Sequence, residues 1–198
     1  MPKIIDKAHM RHAILDAALH TFATYGFHNS TMDKIAQKAG LAKGTLYLYY
    51  ESKEALSIAF VAAYFSQMET LITQQGFAKS LDAFIEQLHA VLLVDPEQAA
   101  LIPLFFEAFG PSFKDKEFMD TIARSFDKAG AFYTQNITEL IARDEIDPDI
   151  NPHALGRVLV SILDGILLHY GLFSPAQSDY ERMVRESLAL FKKSLKRP

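Results

Sequence analysis

Residues 31–53 read TMDKIAQKAGLAKGTLYLYYESK, and this stretch decides the fold. Thr31 is a candidate N-cap for a first short helix, and Gly40 can adopt the left-handed conformation that ends a helix at little cost. A second short helix is predicted over residues 42–49. Two short helices joined by a glycine turn form a helix-turn-helix, the arrangement that places one helix in the major groove of DNA.

The second helix of this motif has two different faces. Leu46 and Tyr50 lie four residues apart and share a face with Ala42, so we expect these three side chains to pack inward. A rotation of about 100° per residue turns the other face outward; it carries Gly44, Thr45, Tyr47 and Leu48. Glycine costs roughly 1 kcal/mol relative to alanine inside a helix. Gly44 is therefore expected where a nucleic-acid backbone or base edge approaches closely.

Residues 11–56 resemble the N-terminal domain of the TetR family of bacterial transcriptional regulators. The resemblance is carried, helix by helix, by Arg11, Ile14, Leu15, Ala17, Ala18, Phe22, Gly26, Thr31, Ile35, Ala36, Ala39, Gly40, Gly44, Thr45, Leu46, Tyr47, Tyr50, Ser52, Lys53, Glu54 and Leu56. It implies an all-α protein with a three-helix helix-turn-helix DNA-binding domain at residues 1–53. The helical remainder, residues 54–198, would be the ligand-binding and dimerisation domain.

The resemblance and the helix geometry together nominate contacts with double-stranded operator DNA. Candidates for contacts with phosphates are Thr31, Lys53, Tyr47 and Tyr49. Candidates for contacts with base edges are Lys43 (which could reach a phosphate instead), Gly44, Thr45 and Leu48, the last against a thymine methyl.

Charge and composition agree with a small regulator. The 198 residues carry a net charge of −4, but residues 1–53 hold seven Lys or Arg and four acids, a net +3 that leaves −7 for the remainder. A basic head on an acidic body orients the head toward phosphates. The chain has no cysteine, which excludes a disulfide framework and suits the cytoplasm. We see no signal peptide and no run of about 18 apolar residues, so no membrane partner is expected.

Capping residues and proline positions predict nine helices and no strand. Beyond the motif, the predicted helices run over about 9–25, from Ser52 to 75, from Ser80 to 94, from Asp95 to 110 with a kink at Pro103, over 114–143, over 151–170, and onward from a capping box at Ser178.

The eighth predicted helix is apolar almost all the way round, from Leu155 to Phe173. A surface helix shows a single apolar stripe, so one side of this helix needs a partner. We expect helices eight and nine of two chains to form a four-helix dimer interface; the candidates are Leu155, Leu159, Ile162, Ile166, Met183, Leu188 and Phe191. The alternative is burial in the core of a monomer. A dimer would also place two recognition helices about 34 Å apart, one turn of DNA.

Thirteen of the fifteen phenylalanines follow residue 53. Aromatic residues at helical spacing usually form packed core, but the family resemblance implies a cavity for a small effector. Candidate lining residues are Phe60, Tyr64, Phe84, Leu88, Phe105, Phe109, Phe126, Tyr133 and Leu167, with Glu107, Asp164 and His169 as polar candidates. Such a cavity would suit a lipophilic compound, cationic or aromatic.

The family resemblance implies a repressor that leaves its operator DNA when a small lipophilic effector binds, and two other functions are alternatives to it. An enzyme is disfavoured, because Glu86-x-x-His89 has no second copy to complete a di-iron site, and no phosphate loop, nucleophile elbow or zinc motif occurs. We therefore predict no catalytic residue, metal or cofactor. A helical small-molecule-binding protein without regulatory DNA binding is disfavoured by Lys43, Thr45, Tyr47 and Lys53, each a usable DNA contact.

Overall fold

The computed structural model describes residues 7–94, 96–99 and 102–196. This part of the chain is all-α, as predicted, with ten α-helices, one 3-10 helix and no strand. The helices are α1 Lys7–Asn29, α2 Met32–Lys38, α3 Lys43–Tyr47, α4 Lys53–Thr73, α5 Leu81–Leu92, α6 Pro96–Ala99, α7 Ile102–Phe109, the 3-10 helix Gly110–Lys114, α8 Lys116–Ala142, α9 Pro152–Phe173 and α10 Gln177–Leu195.

The chain forms two compact units. The first contains the described residues up to Phe65 together with Pro103–Thr121, and the second contains Ser66–Ile102 and the chain from Ile122 onward. Helices α4 and α8 each run across a boundary between the units. The units therefore differ from the functional division predicted at residue 53, which stays a prediction.

The first unit is built on α1. Its residues Ile14, Ala18 and Phe22, which follow one another at intervals of four, are buried and form its inner face. Helix α2 packs on α1 and α3 packs on α2, with Ile35 and Leu46 fully buried. Removing such aliphatic side chains from water stabilises the fold by about 1.5–3 kcal/mol each.

The second unit is a helical core formed mainly by α5, α8, α9 and α10. Helices α8 and α9 approach closely at Gly156, where an added Cβ would lie 2.7 Å from the carbonyl oxygen of Gly130. Only glycine fits such a crossing. The buried hydroxyl of Tyr180 on α10 donates a 2.6 Å hydrogen bond to the carbonyl of Leu92, which ties α10 to the end of α5.

Several predicted helix caps are confirmed. Thr31, Ser52, Ser80 and Asn151 each accept a hydrogen bond from the backbone N–H three residues later. The predicted capping box at Ser178 is wrong: α10 begins at Gln177, and its N-cap Ala176 makes no side-chain bond.

The predicted sixth helix is two helices. Pro103 is the second residue of α7, and a proline in the first turn costs no helical hydrogen bond. The predicted cap Asp95 lies outside the described residues. Helix α9 continues past Gly171 to Phe173, and the left-handed residue that follows it is Ser174, with φ of 44°.

Candidate nucleic-acid interface

The turn before the recognition helix forms as its sequence predicts. The hydroxyl of Thr31 accepts a 3.3 Å hydrogen bond from the N–H of Lys34, and Asp33 lies in the first turn of α2, where the helix dipole favours a negative charge. Gly40 has φ of 67°, the left-handed conformation expected at the end of α2.

Helix α3 is held by the inward side chains of Leu46 and Tyr50, both buried as predicted. Ala42 is exposed, so its predicted place on the inner face is wrong. It occupies the N-cap, where the extended backbone (φ −66°, ψ 143°) has not entered the helical rotation. The helix also ends at Tyr47, two residues earlier than expected.

The outward face of α3 matches the prediction from helical rotation. Leu48 is 85% exposed and Tyr47 is 42% exposed, although both side chains are large and hydrophobic. An added Cβ on Gly44 would meet no atom within 4 Å. Thr45 and Tyr49 are half-buried beside this face. The outward face of this short helix thus exposes a glycine, an aromatic side chain and an aliphatic side chain to the solvent.

Lys43, the first residue of α3, lies in an ion pair that the sequence did not reveal. Its Nζ is 2.8 Å from a carboxylate oxygen of Asp33 on α2, and both side chains are mostly exposed. A hydrogen bond to Asp33 raises the pKa of Lys43 from its ordinary value of 10.5. Contact between Lys43 and DNA therefore requires the ammonium to leave or share Asp33.

Lys53, the first residue of α4, also has partners inside the head. Its Nζ donates hydrogen bonds to the carbonyls of Phe27 at 2.9 Å and Ser30 at 3.2 Å, with His28 at 3.4 Å. It also lies 4.4 Å from the centre of the Phe27 ring, a cation–π contact. The ammonium therefore caps the end of α1. Its predicted phosphate contact stays a prediction.

The predicted effector residues of the first unit pack on one another. Phe60 and Phe105 stack with ring centres 5.3 Å apart, and Tyr64 lies 4.1 Å from Phe105. Phe60 and Phe105 are buried. Glu107 is exposed, and its carboxylate accepts a 2.9 Å hydrogen bond from the backbone N–H of Phe27. The side chain of Phe109 lies outside the described residues.

The predicted effector residues of the second unit fall into three groups by exposure. Phe84, Leu88 and Tyr133 are buried in its core, where Phe84 and Tyr133 meet edge to face at 6.3 Å. Three others, Phe126, Asp164 and Leu167, are half-buried. His169 is exposed and lies 5.1 Å from the ring of Phe173.

Tyr133, which is buried, and Asp164, which is half-buried, are polar neighbours in this apolar core. The hydroxyl of Tyr133 makes no hydrogen bond with any described residue, although buried hydroxyls normally have a partner. Burial raises the pKa of Tyr133 above its ordinary value of 10, and the nearby charge of Asp164 adds to the effect. Burial also raises the pKa of Asp164 from 3.8 to about 6.

The predicted dimer residues divide between core and surface. Leu159 and Leu188 are buried within the protomer, and Ile162 is 42% exposed. The rest are half-buried: Leu155, Ile166, Met183 and Phe191. The exposed large apolar residues of α9 and α10 that were not predicted at the interface are Val158, Leu168, Leu172, Phe173 and Leu190. No signal separates the outer residues of α9 from the inner ones, because this helix is apolar almost all the way round.

A groove of about 390 Å³ opens beside this exposed face. Leu88 and Leu92 of α5 form one wall. The remaining walls come from α9 and α10: Leu159, Ile162, Leu163, Ile166, Ser187, Leu188, Leu190, Phe191 and Ser194.

Two helices, α4 and α9, are long and apolar enough to cross a membrane by length and composition. Charged residues occur in both helices, so neither is a continuous apolar run of about 18 residues, and the expectation of no membrane partner stays a prediction. Core helices of soluble proteins meet the same criterion, so this finding alone assigns neither helix to a bilayer.

Comparison with known proteins gives matches to both the head and the whole fold. The model of bacterial regulatory proteins of the tetR family matches residues 14–60. The HTH-type transcriptional regulator UidR of Escherichia coli strain K12 is 30% identical over 167 residues, which cover 79% of this chain and 79% of UidR.

Two solved structures share the fold at lower identity. A TetR transcription regulator from Haloarcula marismortui matches with a TM-score of 0.81 and 17% identity, covering 96% of this chain and all of the other. The regulator FadR of Bacillus subtilis in complex with stearoyl-CoA matches with a TM-score of 0.65 and 21% identity, covering 93% and 98%. With its exposed recognition helix and its likeness to UidR, the chain belongs to the TetR family of bacterial DNA-binding transcriptional regulators.

Proposed function

We propose that this regulator is a cytoplasmic, non-catalytic repressor that leaves its operator when a small lipophilic effector binds to residues 54–198. The observation that carries the DNA-binding part is the outward face of α3, where Leu48 and Tyr47 are exposed while Leu46 is buried. The same face supports the regulator over a helical binding protein that does not touch DNA.

A gel shift with genomic fragments from beside the coding region tests this proposal. The wild-type chain should retard one fragment specifically, and Tyr47→Ala should weaken that complex. Lys79→Ala, which removes an exposed cation of the second unit, serves as a control and should bind normally. Failure of the wild-type chain to retard any fragment would favour the helical binding protein.

The effector is proposed to carry one cationic group on an apolar body. The carboxyl of Asp164 has no ion pair among the described residues, and the Tyr133 hydroxyl near it has no hydrogen bond there. A buried carboxylate without a partner is costly, so a ligand cation would be bound strongly. The stearoyl-CoA in Bacillus subtilis FadR supports a lipophilic effector for this chain as well.

Two ligands of equal chain length separate the contribution of the cation from that of the apolar body. Dodecylamine and dodecanol bring the same apolar body, but only the amine brings a cation. We expect dodecylamine to raise the thermal midpoint more than dodecanol does, and Asp164→Asn to abolish that difference. An equal shift by both compounds in the wild-type protein would contradict the cationic class.

We propose that the outer face of α9 and the adjoining groove are covered by a second copy of the chain. Val158, Ile162, Gly165 and Leu172 recur at the spacing of one helical stripe and are exposed. An added Cβ on Gly165 would meet no atom within 4 Å, whereas Gly156, on the opposite face of α9, already serves the crossing with α8. A glycine on the outer face suits a second, intermolecular helix crossing.

Release from DNA follows from the preference of the effector for one conformation. An effector that bound both conformations equally would shift nothing, however tightly it bound. We therefore propose that it binds better when the two heads are held away from the spacing of one DNA turn. Activation instead of repression would appear as increased transcription from the bound promoter.

A further inference from the structure

We propose that Glu107 is a positioning residue for the DNA-binding helices: its carboxylate fixes the end of α1, and so presets the orientation of α2 and α3. The inference rests on DNA binding through α3. Glu107 lies on α7, in the segment Pro103–Thr121 that packs with the head in the first unit although it is distant in sequence.

The bond exists because α1 is interrupted. Gly26 has φ of 73° and ψ of 160°, outside the helical region, in a conformation that L side chains rarely adopt. The N–H of the next residue, Phe27, donates a 2.9 Å hydrogen bond to the carboxylate of Glu107. A carboxylate acceptor makes this bond stronger than one between neutral groups.

Phe27 is held on its other side as well. Its carbonyl accepts a 2.9 Å hydrogen bond from the ammonium of Lys53, the first residue of α4. Its ring is buried and packs 5.2 Å from the ring of Phe22. Both main-chain polar groups of Phe27 are therefore bound by charged side chains: its N–H by Glu107 of α7 and its carbonyl by Lys53 of α4.

An aromatic row extends this contact from α1 to α7. The ring of Phe22 meets Phe60 of α4 edge to face at 6.3 Å, and Phe60 stacks on Phe105 of α7. Phe105 is two residues from Glu107. The Glu107 carboxylate and the aromatic row therefore connect α1 and α7 by separate contacts. Helix α7 thus helps α4 to hold the helices of the head in place.

The fixed segment leads directly into the recognition motif. The hydroxyl of Ser30 donates to the carbonyl of Gly26 at 2.7 Å, and the next residue, Thr31, caps α2. Fixing the Phe27 peptide reduces the orientations open to α2 and α3. Such preorganisation raises affinity without adding a contact to the ligand.

Glu107→Ala, Glu107→Gln and the control Glu117→Ala test the role in the full-length protein. Glu117 is an exposed glutamate of the same segment, on α8. The first measurement is amide hydrogen exchange of Phe27 by NMR. The second is operator affinity as a function of salt concentration, with the fragment identified by the gel shift. The thermal midpoint confirms folding of each variant.

We expect Glu107→Ala to speed exchange of the Phe27 amide about tenfold, since a hydrogen bond to a charged group contributes roughly that factor. Operator affinity should fall about three- to tenfold with an unchanged salt slope, because no phosphate contact is removed. Glu107→Gln keeps an acceptor oxygen and should recover most of both losses. Glu117→Ala should match the wild-type protein.

Unchanged exchange at Phe27 in Glu107→Ala would overturn the hydrogen bond. Faster exchange with wild-type operator affinity would overturn the positioning role. A reduced salt slope would show instead that Glu107→Ala disturbs the phosphate contacts themselves, which also contradicts the proposal. If the wild-type chain bound no fragment, DNA binding would fail together with the positioning role, while the exchange measurement would still report on the bond.

Discussion

Helix α3 packs against the protein on one face only, whereas helix α9 carries apolar side chains on several faces. Helix α3 has five residues and one buried side chain, Leu46, so its remaining positions face outward. Helix α9 has 22 residues, and large apolar side chains lie both inside and outside the protomer, such as Leu159 and Ile162. When only one face of a helix is buried, the spacing of its apolar residues identifies that face. When a helix is apolar almost all the way round, its inner and outer faces can be assigned only from the helices that pack against it.

The largest effect on assembly is expected from a charge on the outer stripe of α9. Ile162→Asp should abolish dimerisation, because each dimer would bury two carboxylates without partners. We expect dissociation to be promoted at least about a hundredfold, on the order of 3 kcal/mol. Sedimentation equilibrium measures this directly. Leu71→Asp, at an exposed leucine of α4 in the same unit, should remain dimeric, and equal behaviour of the two variants would contradict the interface.

Two leucines of α3 and its C-terminal cap test whether only one face of the helix is buried. Leu46 is fully buried and Leu48 is 85% exposed. Leu46→Ala should lower the free energy of unfolding by about 2–5 kcal/mol, the usual cost of a cavity in a core, whereas Leu48→Ala should change it by less than about 0.5 kcal/mol. Urea unfolding gives both values. Similar losses in the two variants would mean that α3 is not one-sided.

Asp164→Asn should remove a pH-dependent destabilisation of the second unit. Burial raises the pKa of this carboxyl from 3.8 in the unfolded chain to about 6 in the folded one. As pH rises between these values the unfolded state loses its proton first, so stability falls. The loss reaches at most about 3 kcal/mol above the folded pKa, at 1.36 kcal/mol per pH unit.

Urea unfolding as a function of pH measures this effect. The Asn variant should be more stable than the wild-type protein at pH 7 and should approach it near pH 4. Asp149→Asn, at an exposed loop carboxylate, should keep the wild-type pH dependence. A wild-type profile in Asp164→Asn would show that the carboxyl is not buried from water.

The smallest effect is expected at the ion pair beside α3. Lys43→Ala should weaken operator binding severalfold and reduce the salt slope by about 1, as for the loss of one phosphate contact. Asp33→Asn should have the opposite effect on affinity, since it frees the ammonium that Asp33 holds. Fluorescence anisotropy over a range of salt concentrations measures both. Wild-type slope and affinity in Lys43→Ala would remove this residue from the interface.

Local signals predicted the head well. The Thr31 cap, the left-handed Gly40 and the outward face of α3 depend on residues within one or two helical turns, where spacing fixes geometry. The contacts of Lys53 with Phe27, and of Glu107 with the same residue, join positions 26 and 80 apart. No local pattern encodes such contacts, so the sequence did not reveal them, and the predicted roles of Glu107 in a cavity and Lys53 at a phosphate stay predictions.

In the second unit, local signals did not identify which residues pack inward. Its helices and most of its caps were predicted, but Leu159 and Leu188 were assigned to the dimer interface and lie in the protomer core. Neighbouring positions on α9 carry equally apolar side chains, so a rotation of 100° leaves the pattern unchanged. Which face packs inward depends on Gly156 and its crossing with α8, a contact visible only in three dimensions.

Gly44→Ala tests the central claim, that the outer face of α3 is shaped for DNA and not for the fold. An added Cβ meets no protein atom within 4 Å, and alanine favours the helix by about 0.5–1 kcal/mol. The account predicts a variant that is slightly more stable to urea yet binds its operator about tenfold more weakly, because a methyl group blocks close approach to the bases. A more stable variant with wild-type operator affinity would contradict it.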